Sequence, residues 1–157
     1  MLLVKNHYIS LDPAIRGWMS DIPNYLPPIP IGDPVRATVV GEVLESGADH
    51  IKPGDYVFGL GGWETHCTIP VEFCTKVPED NEFPLHYFVN MLGAVGLTPY
   101  FAIADVGGAQ AGQTMLMSAA AGAVGSIGGQ IAKIMGLTVV GIAGTDEKCR
   151  WVVEDLG

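Results

Sequence analysis

The hydrophobic pattern divides the chain into two stretches of different period. Residues 2–11 form an apolar, β-prone run that reads as a strand. Residues 12–34 carry Pro13, Pro23, Pro27, Pro28, Pro30 and Pro34, a density that predicts turns and argues against regular helix. Residues 36–43 then supply an apolar, β-branched run. Residues 56–59 and 65–70 follow as short strands between Gly and Pro. Together they predict a small, mostly antiparallel, barrel-like region. Its Lys52-Pro53-Gly54-Asp55 reads as a turn, because Pro presets φ at one position and Gly admits positive φ at the next.

Near residue 84 the period lengthens. Residues 85–92 and 98–105 read as helical, and Gly107-Gly108 then interrupts the chain. The remainder alternates: strand over 114–118, helix over about 122–135, strand over 138–143, and a helix starting near Asp146. That order predicts α/β architecture with parallel strands joined by right-handed crossovers. The expected domains are 1–84 and 85–157.

The strand at 114–118 runs into Ala119-Ala120-Ala121-Gly122-Ala123-Val124-Gly125. A dinucleotide fold needs a small residue for a tight turn, a glycine where the backbone meets the pyrophosphate, and a glycine where helix and strand pack closely. Ala120, Gly122 and Gly125 hold those spacings, and the helix N-terminus offers free N–H groups and a positive dipole end to an anion. The second strand of the unit ends Gly141-Ile142-Ala143-Gly144-Thr145, with no acidic side chain at its tip and Lys148 just beyond. A 2′-phosphate meets a cation there, which favours NADPH over NADH. Two alternatives stand beside this: Asp146 or Glu147 turning toward a ribose hydroxyl, and Lys148 as a solvated helix lysine.

Composition narrows the function classes. Apolar residues make up 48% of the chain and charged residues 16%, which suits a packed interior. Eight Lys and Arg against seventeen Asp and Glu give a net charge of −9, which repels a phosphate backbone and excludes a broad nucleic-acid face. Cys67, Cys74 and Cys149 are odd in number and lack Cys-x-x-Cys spacing, so neither a disulfide framework nor a zinc knuckle is indicated. His66 and Cys67 are adjacent on a strand and so point to opposite faces. No apolar stretch has membrane-spanning length and no basic segment precedes an apolar run, so the expectation is a cytoplasmic protein.

Four segments together resemble a known family. They are Asn6-His7-Tyr8-Ile9-Ser10-Leu11-Asp12-Pro13-Ala14-Ile15-Arg16-Gly17, Gly54-Asp55-Tyr56-Val57, Leu92-Gly93-Ala94-Val95-Gly96-Leu97-Thr98-Pro99-Tyr100, and the glycine turn continuing to Gly144-Thr145-Asp146-Glu147-Lys148-Cys149. The chain resembles the zinc-independent medium-chain dehydrogenase/reductases, in the branch of prostaglandin reductases (leukotriene B4 12-hydroxydehydrogenases) and double-bond reductases. The resemblance implies a GroES-like substrate domain over 1–84, lacking its first strands, and a partial Rossmann NADP-binding domain over 85–157. It implies NADPH-dependent reduction of the C=C bond of α,β-unsaturated aldehydes and ketones, with a homodimer in the full-length protein.

By the same resemblance Gly122, Ala123, Val124 and Gly125 hold the pyrophosphate, Gly144 and Lys148 the 2′-phosphate side, and Met91 and Thr98 the approach to the nicotinamide. Tyr8 and Tyr100 are candidate pocket phenols or half-buried core residues. Leu60 and Trp63 are either an apolar wall for an enone or packing beneath their loop. No catalytic residue is assigned. Zinc-dependent relatives carry Gly-His-Glu shortly before the glycine equivalent to Gly41, where this chain reads Arg36-Ala37-Thr38, so no metal is expected. Ala14 stands where many members have a pocket tyrosine. Family subunits are about twice as long, so the expectation is a fragment that is a poor enzyme alone. Competing readings are a quinone reductase of the same superfamily and a non-catalytic nucleotide-binding remnant.

Overall fold

The structure is a computed structural model that describes residues 1–157. It contains two compact units, Met1–Val89 and Asn90–Gly157. No helix is long and apolar enough to cross a membrane.

The first unit is an antiparallel sheet of five strands: β1 (Leu2–Ile9), β2 (Arg36–Ser46), β3 (Tyr56–Gly62), β4 (His66–Ile69) and β5 (Cys74–Lys76), in the order β4-β1-β2-β3-β5. The two-residue period explains its core. Leu2 and Val4 of β1, Val39 and Val43 of β2, Val57 of β3, and Cys67 and Ile69 of β4 all turn to one side and pack with Ile51. His66 is exposed while Cys67 is buried, as the alternation requires. Burial pushes the Cys67 thiol pKa up, which keeps it protonated and unreactive.

The opposite side of β2 and β3 is covered as well: Val40 packs with Val77 and with Phe88 of a 3-10 turn at Leu85–Val89. Both faces of β2 are therefore dry, which is why its sequence is a continuous apolar run without clear alternation. The turn at Lys52-Pro53-Gly54-Asp55 forms as expected, with Gly54 at φ +91° and Asp55 N–H donating to Lys52 O at 3.0 Å.

The proline-rich segment corrects the sequence expectation. It contains helix α1 (Pro13–Trp18), with Pro at the start of the first turn, where a backbone N–H has no intrahelical acceptor in any case. So short a helix is unstable by itself. It is held because Ile15 and Trp18, three residues apart, are buried together with Ala37, against Leu26, Ile29 and Val35. Of the later prolines, those from Pro27 to Pro30 flank Leu26 and Ile29 in the extended chain over this helix.

Asp55 ties the turn to β5. Its carboxylate accepts from Lys52 N–H at 2.8 Å and lies 3.0 Å from Lys76 Nζ, which also meets Glu79 at 2.9 Å. The Lys52 amide first, then Lys76, holds the Asp55 pKa below its ordinary value, whereas Glu79 and then Asp55 raise that of Lys76. The Asp55 contribution to stability is whole above the ordinary carboxylate pKa and is lost as pH falls through the lowered folded value. Urea midpoints measured against pH should therefore show Asp55→Asn less stable than the unaltered chain at neutrality, with the gap closing in acid. A gap independent of pH would show that the charge contributes nothing.

The second unit begins with α2 (Ala94–Phe101), which carries Pro99 and continues into a π-helical turn at Ala102–Val106. The helix that periodicity expects at 98–105 lies wholly within this run, which starts four residues earlier; of 85–92, Leu85–Val89 is helical, as the 3-10 turn of the first unit. Pro99 cannot donate a helical hydrogen bond, and the helix loosens to the wider winding just beyond it. Then come β6 (Thr114–Met117), α3 (Ala123–Ile134), β7 (Thr138–Gly141) and α4 (Asp146–Glu154). β6 and β7 pair in parallel, Thr114 opposite Thr138 and Met117 opposite Gly141. Helix α3 lays Gly125, Gly128 and Ala132 inward at a helical spacing, and Ala132 joins Ile103 and Leu137 in the core of the unit. The fold is thus a GroES-like, mostly β unit followed by the start of a Rossmann sheet.

Candidate functional site

Two groups of sequence-selected residues are gathered by the fold, one in each unit. In the second unit the glycine turn and the Gly144–Lys148 segment both follow the carboxyl ends of parallel strands, β6 and β7. Open α/β sheets bind ligands there, because helix N-termini converge at that edge. The ladder continues beyond the strands: Ile142 N–H donates to Met117 O and Ala120 N–H to Ile142 O, both at 2.9 Å. These bonds fix the turn at its root.

The turn itself is tight. Ala119 has φ +49°, the one non-glycine residue in the left-handed region, and its carbonyl accepts from Gly122 N–H at 2.8 Å. A Cβ on Gly125 would collide with that same Ala119 carbonyl oxygen and come within 2.9 Å of Ala120 Cα, so only glycine lets α3 approach β6 this closely. Ala120, in the slot where the motif has its first glycine, is buried. A Cβ on Gly141, across the pair, would lie 2.8 Å from the Ala120 methyl. Glycine in β7 thus makes room for alanine in the turn.

Gly122, the N-cap of α3, is exposed and has no side chain to cap the helix. The first intrahelical bond runs from Ser126 N–H to Gly122 O at 2.8 Å, leaving the amides of Ala123, Val124 and Gly125 without backbone acceptors. Ala123 and Val124 are exposed. Uncapped amides, a bare glycine and the positive end of a twelve-residue helix together fit a pyrophosphate.

Gly144 is exposed with open space around its Cα, and Thr145 caps α4 by accepting from Lys148 N–H at 3.2 Å. Asp146 and Glu147 occupy the first turn of that helix. The exposed Lys148 ammonium takes part in no ion pair. Met91 and Thr98 belong to a different place, the approach to α2 and its interior. The Thr98 hydroxyl is engaged with Ala94 O at 2.7 Å, and Met91 O lies where a Cβ on Gly96 would collide. Tyr100 is half exposed, edge-on to Phe101 at 5.3 Å between ring centroids.

In the first unit, Tyr8, Leu60 and Trp63 lie toward the same end of β1, β2 and β3. Tyr8 is paired with Val40, Leu60 with the neighbouring Thr38, and Trp63 Nε1 donates to Ser10 O at 3.3 Å. Tyr8 is 45% exposed and Trp63 42%, so neither is core. Tyr8 also meets His86 edge-on at 5.6 Å. Ala37, in the position of the zinc relatives' ligand, is wholly buried against Ile15 and Trp18, and no three His, Cys, Asp or Glu side chains converge anywhere in the chain.

Sequence reasoning missed Asn6. Period-2 alternation from Leu2 and Val4 places it on the core side, and a polar residue there was the available signal. Its carboxamide donates to Glu64 O at 2.9 Å and Gly62 O at 3.3 Å, on either side of Trp63.

Residues 1–77 match the family described as the N-terminal domain of oxidoreductase. The NADPH-dependent curcumin reductase of Escherichia coli strain K12 is 38% identical over 156 residues, 99% of this chain and 45% of the relative. The 2-alkenal reductase (NADP(+)-dependent) of Nicotiana tabacum is 40% identical over 149 residues, 94% of this chain and 43% of that protein. The crystal structure of CurA from Vibrio vulnificus in complex with NADPH superposes with a TM-score of 0.91 at 34% identity, covering 99% of this chain and 46% of the other. The chain thus spans about half the length of the relatives it matches. Motifs, fold and relatives agree: over almost its whole length the chain is similar to the zinc-independent medium-chain dehydrogenase/reductases of the double-bond reductase branch.

Proposed function

We propose that this chain is part of an NADPH-dependent reductase of the C=C bond of α,β-unsaturated aldehydes and ketones. The observation that carries the cofactor half of this reading is the uncapped α3 N-terminus, with three amides lacking acceptors beside a bare Gly122. Ala123, Val124 and Gly125 hold the pyrophosphate through their backbone, and Lys148, free of carboxylate partners, holds the 2′-phosphate. Gly144 leaves the adjacent backbone open. Met91 and Thr98 are assigned to the nicotinamide approach by family pattern. NADPH, when bound, supplies a hydride to the β-carbon of the substrate.

The substrate half rests on the exposed aromatic end of β1–β3. Leu60 and the Trp63 indole offer an apolar wall to a flat conjugated carbonyl, and the Tyr8 phenol is a hydrogen-bond donor for an oxygen that gains negative charge during reduction. In this reading the first unit is the substrate domain and the second the nucleotide domain of a cytoplasmic enzyme that is a homodimer at full length. Turnover by the 157-residue chain is slight, because Leu116 and Val140 on the two-stranded sheet and Ile142 just beyond it lie exposed and favour association of chains over a closed site.

The test is titration with NADPH and NADH followed by tryptophan fluorescence, with turnover of a small enone and of a benzoquinone measured beside it. NADPH binding with any turnover confined to the enone is the expected result. Preference for the quinone would move the chain to the quinone reductases. Binding without turnover of either would fit a nucleotide-binding remnant, and failure to bind either nucleotide would remove the cofactor site.

A further inference from the structure

Asn6 is bonded at every polar group it owns on one side of the sheet. Its backbone N–H donates to Thr65 O at 2.9 Å, its Nδ2 to Glu64 O at 2.9 Å and Gly62 O at 3.3 Å, and its Oδ1 accepts from Cys67 Sγ at 3.4 Å. These bonds bracket Trp63 before and behind. Trp63 adds two of its own, backbone N–H to Val35 O at 2.8 Å and Nε1 to Ser10 O at 3.3 Å.

On its other side Asn6 borders a bulge. The β1–β2 register places Asn6 opposite Gly41 and Tyr8 opposite Val40, so His7 is the extra residue. A bulge turns the strand and redirects the side chain that follows it, which here is Tyr8. β1 lies so close at this point that a Cβ on Gly41 would strike Lys5 O. One half-buried carboxamide therefore stands between the loop that carries Trp63 and the bulge that aims Tyr8. An apolar side chain would face the core here, as Leu2 and Val4 do four and two residues earlier, but would leave the carbonyls of Gly62 and Glu64 without these donors.

We propose that Asn6 is a positioning residue that fixes Trp63 and Tyr8 in one wall for a flat, conjugated carbonyl substrate. The inference rests on the reading of Tyr8, Leu60 and Trp63 as the substrate wall. Asn6 itself does not touch the substrate. Its carboxamide holds the 62–65 backbone against the bulge, and so sets the distance between the two aromatic groups.

The experiment is proton–nitrogen NMR of the full 157-residue chain, in which the three indole N–H groups report separately, with 4-phenyl-3-buten-2-one as the probe. In the unaltered chain the enone should shift the Trp63 indole and leave Trp18, which is buried, in place. Asn6→Asp removes both Nδ2 donors and sets a carboxylate against two carbonyls. It should displace the Trp63 resonance at neutral pH and weaken the enone about tenfold, the scale set by one or two net hydrogen bonds.

Acidification restores a donor as the new carboxyl takes a proton, so the Asp variant should recover toward the unaltered resonance while Asn6→Ala does not. The neighbouring ionisable groups Lys5, His7, Glu64 and His66 are common to both proteins, and the unaltered profile is the control for them. A Trp63 resonance and enone affinity unchanged in Asn6→Asp would overturn the inference. An unaltered chain in which the enone leaves Trp63 and Tyr8 unmoved would overturn the substrate reading first, and is seen without any variant. If neither variant folds, the Asn6 side-chain amide signals of the unaltered chain decide: they must move with Trp63 on enone addition, and static signals refute the role.

Discussion

Gly125→Ala should abolish nucleotide binding and destabilise the second unit, whereas Gly122→Ala should leave stability almost intact and still lose the nucleotide. The two glycines stand three residues apart in one turn but serve different physics. At Gly125 a methyl would fall on the Ala119 carbonyl oxygen, with Ala119 C and Ala120 Cα both at 2.9 Å. These are backbone atoms at the root of the β6–β7 ladder and cannot step aside. Helix α3 must move off the sheet, and overpacking of this kind costs about 1–3 kcal/mol. Displacing α3 also carries away the amides of Ala123 and Val124.

At Gly122 the nearest atom to a new methyl is Ala119 O at 3.1 Å, and the next lies at 3.9 Å. φ there is −83°, which any residue adopts. The fold tolerates that methyl with a small adjustment, but it stands on the exposed surface where a phosphate has to reach the uncapped amides. Urea denaturation and NADPH titration of both variants separate the two roles. Unaltered stability in Gly125→Ala would refute the close-packing account, and unaltered affinity in Gly122→Ala would mean that the phosphate binds elsewhere.

Lys148→Ala should weaken NADPH about tenfold or more and leave NADH unchanged, erasing the preference between them. Charge-assisted hydrogen bonds are the stronger class, and Lys148 has no carboxylate partner to compete for its ammonium. The backbone amide of Lys148 caps α4 through Thr145, so the backbone position is fixed while the side chain stays free. Alanine keeps that cap, and the variant should fold as before. Because the site is exposed, the NADPH preference should also shrink as salt is raised. Equal losses for both nucleotides would implicate helix α4 as a whole, and no loss for either would make Lys148 a solvated surface residue. Lys148→Arg supplies the complementary result, since it preserves the charge that a 2′-phosphate needs.

Much of this architecture was legible because it is local. Alternation of Leu2 and Val4, or of Cys67 and Ile69, follows from the two-residue period of a strand and needs no knowledge of a partner. The glycine turn was legible for a related reason: the spacing of Ala120, Gly122 and Gly125 reflects one tight turn within a few residues of chain. Helix α1 was not. Its stability comes from Ala37, Leu26 and Ile29, residues that proline counting within 12–34 treats as absent or as turn. The π-helical turn after Pro99 was equally hidden, since periodicity registers a helical face and not the winding of the backbone beneath it.

The sequence by itself determined the mostly β first unit, the alternation of strand and helix in the second, and the glycine turn between β6 and α3, because each depends on positions close together in the chain. Tertiary structure alone decided the rest. It set Ala119 in the left-handed region, matched Gly141 of β7 to the Ala120 methyl, and joined Asn6 to Glu64 across 58 residues of chain. The physical reason is the same in each case: a hydrogen bond or a van der Waals contact is set by distance in space, and folding brings those partners together from positions that no period or spacing along the chain relates.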